Sequence, residues 1–497
     1  MIRNVSSSNE DSDSDSSNES SNDSKYYEMM ERLRTRDRLS ELPDSLILQI
    51  LSFLEMRDVV RTSLLSRRWE GLWTTIPCLY FNESKKNNLV QTRNFINRAL
   101  MLWKGTKILK FNVSFCNDFD ESLSGDMDLW VRFATERKVE ELYIHFPYDD
   151  WEIIERDSPP EYPSLYLPPR CLYSCSSIRK LSLVGCNLHI LGNVHWDQLK
   201  SLTIRSCFIS ENLINQVQNV IDQVVSGTPQ LEIFELSVHS EKHGNLSIRS
   251  SSLKKLSIKN ICVIEKDPDI MLMIWAPNLQ ALIISGPPYS KCLLMDVPSL
   301  TDVTLDFEDE SDITLGRTLE QILPIIQHVE AVKLSYHCFK MLRSMKGKYS
   351  IPQLPNVKLL RFSSDRFELN KIVGLLEIFP KLKMLGIDQK SYSRHSFERH
   401  VGPSMPKENI IKSFLMQLRT VEICLSWYES SIFQLIEFLL KHSSFIEKIV
   451  IQKRHTSRTM HPSKCWFRAA QKLLSLQRSF PAVELIFCLE GSSSAFQ

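Results

Sequence analysis

The chain has 497 residues, with 43% hydrophobic and 24% charged side chains, the proportions of an ordinary soluble globular protein but too long for one small domain. Its 60 basic and 59 acidic residues nearly cancel, which removes the electrostatic reason to expect a nucleic-acid or membrane-surface partner. No run of about 18 apolar residues is present, so no membrane-spanning helix is expected.

Residues 1–24 are almost entirely Ser, Asp, Asn and Glu. Such a segment buries too little apolar surface to offset chain entropy, and a disordered acidic tail is expected. Ser12, Ser14 and Ser16 stand among its acids. The start of the chain lacks an apolar signal core, so the expected location is the nucleus and/or cytoplasm. In that reducing setting the 12 cysteines are read as small buried hydrophobes. Residues 25–37 form a short linker or helix, beside the diluted basic cluster Arg32, Arg34, Arg36 and Arg38.

Residues 38–80 read as a compact block of three short helices. Pro43 and Asp44 suit a first helical turn, and Leu46, Ile47, Ile50, Leu51 and Leu54 recur as a helical stripe. Asp58 is placed to cap a second helix carrying Val59, Val60, Leu64 and Leu65. A third runs from Ser66, with Trp69 and Trp73 on one face, and stops before Pro77. So short a block rarely sustains a core alone. Some of Leu42, Ile47, Leu51, Leu54, Trp69 and Trp73 must be covered by something else, either the next domain of the chain or another protein.

From about residue 105 an apolar residue recurs with others three and five positions later. Examples are Ile178-Leu181-Leu183, Leu199-Leu202-Ile204, Leu253-Leu256-Ile258, Leu279-Leu282-Ile284, Leu382-Leu385-Ile387 and Ile446-Ile449-Ile451. This is the leucine-rich-repeat spacing, in which alternate side chains of one short strand point inward. Cys186 and Cys207 occupy the position where the repeat favours Asn or Cys. The copies are unevenly spaced. Some linking segments read as helices (212–225 and 430–441) and others as loops (157–169). The expected fold is α/β: a three-helix block followed by an irregular leucine-rich-repeat solenoid.

Nothing in the sequence points to catalysis. Phosphate-cradling and nucleophile-elbow motifs are missing, and glycine is scarce at 14 residues. His395 and His400 stand five apart, and Cys171 and Cys175 have no second pair to complete a zinc site. Glu308-Asp309-Glu310 reads as a solvated loop. The expectation is a non-enzyme without cofactor or metal.

Residues 38–80, with their L-P-D opening, D-x-x-R-x-S centre and L-S-R-R-W-x-x-L-W close, resemble the F-box motif. Followed by irregular repeats at 81–408 and an FBD-like element at 409–490, before a short tail at 491–497, they look like the plant F-box/LRR-repeat family. The resemblance implies the substrate-recognition subunit of an SCF-type ubiquitin ligase, with a ligase-independent repeat scaffold as the other reading. It implies that Leu42, Pro43, Ile47, Ile50, Leu51, Leu54, Val60, Ser66, Arg68, Trp69, Leu72 and Trp73 form or support the site for a Skp-type adaptor, which docks on a cullin-RING scaffold. The outward-facing strand positions, among them Arg205, Lys259, Lys333 and Arg361, are candidate contacts for a protein target.

Overall fold

A computed structural model describes residues 41–83, 89–115, 120–146, 165–190, 192–208, 216–240, 245–262, 270–308, 312–345, 351–365, 369–389, 415, 417–426, 431–443, 445–453 and 463–488. The acidic tail, the 25–37 segment with its arginine cluster, Asp309-Glu310, and His395 and His400 lie outside these residues.

Three short helices, Asp44–Leu51, Met56–Arg61 and Arg67–Leu72, open the described chain, and a turn of 3-10 helix ends at Thr75. Pro43 immediately precedes the first helix, and its carbonyl accepts from the N–H groups of Leu46 and Ile47. The second helix begins earlier than expected, after Glu55. Asp58 therefore sits inside its first turn, paired with Arg61 at 2.8 Å, rather than at its cap.

The rest is a parallel ladder. Fifteen strands of the described residues form one sheet in chain order. It starts with β1 (Cys78–Asn82), β2 (Lys110–Ser114), β3 (Glu141–His145), β4 (Lys180–Val184), β5 (Ser201–Phe208) and β6 (Ile233–Ser240). It continues through β8 (Lys255–Cys262), β10 (Ala281–Gly286), β12 (Asp302–Phe307), β13 (Ala331–Leu334) and β14 (Leu359–Ser364). It closes with β15 (Met384–Gln389), β16 (Thr420–Leu425), β17 (Lys448–Lys453) and β18 (Glu484–Cys488). The ladder thus begins at Cys78, inside the segment read from sequence as part of the helical block. A five-residue strand paired with β2 carries Leu79 and Phe81 inward, one copy earlier than the spacing disclosed.

The register explains the pattern. Leu142, Leu181, Leu202, Phe234, Leu256, Leu282, Val303, Val332, Leu360 and Leu385 stand opposite one another in a single buried row. A second row, from Ile144 to Ile387, lies two residues further along. Alternate residues face away, as the two-residue period of a strand requires.

Behind this sheet lies a layer of helices, interrupted by a second parallel sheet of β7 (Leu246–Arg249), β9 (Met271–Trp275) and β11 (Lys291–Met295). The interruption spans the copies beginning at Leu231, Leu253 and Leu279, up to Leu300. There the return path is built of short strands, whereas the comparably short path from Val357 to Leu382 holds the helix Leu369–Leu376. The wider spacings on either side hold the helices Gln216–Ser226 and Asp312–Ile322. The core is continuous from Ile47 to Leu473, so the helical block and the ladder share one interior.

Candidate partner-binding surfaces

The helical block is two-sided. Ile47, Leu51, Met56, Val59, Trp69 and Trp73 are buried in one core cluster with Leu79 and Phe81 of β1 and Ile96 of the helix Leu89–Leu102, which answers the question of what covers them: the chain itself. Trp103 extends this packing, donating from Nε1 to the Ile76 carbonyl at 2.9 Å. Polar contacts fasten the same junction. Arg57 donates to Thr92 Oγ1 (2.8 Å) and lies over the Phe95 ring, and Asn82 donates to Glu55 Oε1 (3.1 Å).

Of the twelve residues proposed from sequence, Ile47, Leu51, Trp69 and Trp73 are therefore core. Leu42, Leu54, Val60, Ser66 and Leu72 are half-buried, and Pro43, Ile50 and Arg68 are exposed. Arg68 is tied to Asp44 and to the Leu42 carbonyl, holding the third helix against the start of the first. The side chains left open to solvent are mostly others: Leu46, Ile50, Phe53 at 79% exposure, Leu64 at 88% and Leu65 at 60%. Sequence carried a signal for the first two. Leu46-Ile47 and Ile50-Leu51 are adjacent apolar pairs, and a helix turns only one member of such a pair to a core, whereas at Leu64-Leu65 both members face solvent.

On the repeats, the outward positions form two parallel rows. Lys333 and Arg361 are register partners in one, with Glu235, Thr304, Gly386 and Glu422. Arg205 and Lys259 stand two residues further along, in the other. Arg205 is exposed and paired with Glu235 at 2.6 Å. Arg361 is not an open contact. It reaches across Gly386 to Glu422 (2.7 Å), with Asp388 at 3.8 Å. Burial alone would push its guanidinium pKa down, yet Asp388 and Glu422 together hold it above its ordinary value. Near the other end His145 bonds Ser182 Oγ at 2.9 Å, and burial, then Arg205, lowers its pKa.

The cysteines are structural. Cys207 Sγ donates to the carbonyls of Leu183 and Arg205, and Cys186 to that of Val184, each satisfying the backbone as it leaves the strand. Burial pushes Cys292 up to about 12 and Cys338 to about 11, far from the thiolate range. Cys171 is half-buried and Cys175 buried. Among the described residues no group of three His, Cys, Asp or Glu is placed to hold a metal, and no helix is long and apolar enough to cross a membrane.

The comparisons with known proteins divide the chain as the geometry does. Residues 39–80 match the F-box domain model, and residues 127–301 match a model described as "FBD-associated F-box protein At5g56370, LRR repeats". The chain carries an F-box and a leucine-rich-repeat region and is similar to F-box/LRR-repeat proteins over most of its length. The chain is 27% identical over 463 residues to the F-box/FBD/LRR-repeat protein At5g56420 of Arabidopsis thaliana, covering 91% of this chain and 99% of that one. It is 26% identical to the F-box/FBD/LRR-repeat protein At1g13780, covering 84% and 91% respectively. It is 29% identical to the F-box/LRR-repeat protein At3g03360, covering 71% and 70%, both again from Arabidopsis thaliana.

Proposed function

We propose that this F-box protein is the substrate-recognition subunit of an SCF-type ubiquitin ligase. Its F-box holds a Skp-type adaptor, and through it a cullin-RING scaffold, while its repeats hold a protein target. The observation that carries this reading is the set Leu46, Ile50, Phe53, Leu64 and Leu65, left in solvent by a block whose other apolar residues are all used internally. Covering one such side chain is worth roughly 1.5–3 kcal/mol, so a partner seated on several of them binds stably. A ligase-independent scaffold would have no use for this exposure. The chain itself performs no chemistry in this reading. It raises the effective concentration of target lysines beside the ubiquitin carrier.

The test is the triple variant Phe53→Asp, Leu64→Asp and Leu65→Asp. All three sites are exposed, so the thermal midpoint should hold while adaptor recovery in a pull-down falls by at least about tenfold, the equivalent of 1.4 kcal/mol. Full recovery by a folded triple variant would overturn the proposal.

A further inference from the structure

The two positions between the first and second apolar residues of each repeat are exposed or half-buried at the start of its strand, and they stack from copy to copy. Lys200 N–H donates to the Arg179 carbonyl, Glu232 to Lys200, Lys254 to Glu232 and Gln280 to Lys254. Charge along this edge is unevenly distributed. From Gln280 to Glu484 the cations Lys358, Lys383, Arg419 and Lys448 are matched by Asp302, Glu330, Glu447 and Glu484. Across β4, β5, β6 and β8 the cations Arg179, Lys180, Lys200, Lys254 and Lys255 share that edge with one carboxylate, Glu232, and border Glu140 and Glu141 at the start of β3, where Glu141 is the register partner of Lys180. Glu232 lies 3.0 Å from Lys254 and 4.0 Å from Lys200, so it cannot neutralise the group. Arg179 leans toward Glu140 at 3.7 Å, which Lys107 already engages. Lys180 rests its ammonium 5.6 Å from the centre of the Tyr143 ring.

We infer that this strip, at the start of β4, β5, β6 and β8, is the docking site for an acidic segment of the captured protein. The inference rests on the receptor reading above and names the chemistry of its target. Four adjacent strands about 4.8 Å apart span roughly 15 Å. An extended polypeptide laid across them places every second side chain about 6.6 Å apart on one side, so successive carboxylates meet successive cations. Charge complementarity of this kind selects partners and speeds encounter. Half-exposed Ile233, in the middle of the strip, offers an apolar contact between the cations. A nucleic acid is the less favoured occupant, because the chain as a whole carries no basic excess, with 60 basic and 59 acidic residues.

The experiment uses the full chain with its adaptor, and a fluorescent peptide of alternating aspartate and serine as probe. An asparagine-serine peptide is the control. Charge reversal at Lys200, Lys254 and Lys255 together (each to Glu) should weaken aspartate-peptide binding by about tenfold or more, since the attraction is spread over several exposed pairs. The matched reversal at Lys358, Lys383 and Arg419 should change it by less than about twofold. Binding should also fall steeply with salt, because screening weakens the attraction between exposed charges. Equal effects of the two reversals, or equal binding of the asparagine peptide, would overturn the inference. So would a single-stranded oligonucleotide that binds the strip more tightly than the peptide. Tighter peptide binding after deletion of residues 1–24 would also overturn it, because the strip would then belong to the chain's own acidic tail. Adaptor recovery by the unaltered chain reads the ligase proposal separately: a chain that binds the aspartate peptide through the strip but recovers no adaptor refutes that reading alone.

Discussion

Arg361 shows how far a single residue can depart from its sequence environment. Its position on the outward side of a strand marks it as a contact, yet the side chain lies down across the neighbouring strand. Only glycine at 386 permits this, because a Cβ there would stand 2.7 Å from Arg361 Nε. The guanidinium then serves Glu422, itself only 13% exposed at its side chain. Arg361→Ser leaves that carboxylate half-buried and unmatched by Arg361, at an expected cost of about 1–3 kcal/mol. Denaturant unfolding should show this loss while target capture per folded molecule stays unchanged. A stability change within error would mean that the ion pair contributes nothing. Lys333 has no shift in role of this kind: it is exposed, and remains a usable contact.

At the scale of elements, the device that repeats is a glutamine standing in for a strand. Gln218, on the helix Gln216–Ser226, accepts the Ser247 N–H at Oε1 (2.7 Å) and donates from Nε2 to the Ser247 carbonyl (2.9 Å). Gln321, on the helix Asp312–Ile322, does the same at the opposite edge, accepting from Cys292 N–H (2.6 Å) and donating to the Ser290 carbonyl (3.2 Å). The three-strand sheet of β7, β9 and β11 is thereby closed at both edges. Gln477 treats β18 alike, with Leu485 N–H at 2.9 Å and the Val483 carbonyl at 2.7 Å. An amide side chain carries one acceptor and two donors, the set an unpaired strand edge needs. Gln218→Leu keeps the bulk but orphans both Ser247 groups. It should cost about 1–3 kcal/mol, while Gln218→Glu, which retains the acceptor, should lose less. Amide exchange at Ser247 checks this: protection equal to the parent in Gln218→Leu would sink it.

Across the whole molecule, the F-box and the repeats share one continuous core, from which cooperative unfolding is expected. Trp103 is the residue on which this is most easily tested. It bonds the Ile76 carbonyl, meets Phe133 edge-on at 5.7 Å, and is covered by Arg137. Gly105 allows the chain to turn back over the indole, since a Cβ there would strike the ring. Trp103→Ala should cost about 3–5 kcal/mol, as large-to-small changes in a packed interior do. Adaptor capture should fall in proportion to the fraction folded, although Trp103 is not among the exposed F-box residues. If capture by the F-box persists when repeat-specific probes report unfolding, the two parts fold independently. The ion pairs along the strand starts, such as Lys358 with Glu330 (2.5 Å) and Arg419 with Glu447 (2.7 Å), add little to this stability, being solvent-exposed.

The sequence by itself determined the ladder, because a side-chain period of two and a spacing of three then two leave few ways to hide so many leucines. It determined the F-box through the order of its constrained positions, and the roles of Cys186 and Cys207 through their place in the repeat. The tertiary structure alone decided which apolar side chains of the F-box face water, Leu64 and Leu65 both among them, because that depends on where the core shared with the repeats lies. It alone removed Arg361 from the open surface, through a glycine on the next repeat. It alone gathered Arg179, Lys180, Lys200, Lys254 and Lys255 on one edge. Residues that sequence sets more than twenty positions apart become neighbours only when parallel strands stack in register, and charge, unlike periodicity, takes its meaning from neighbours.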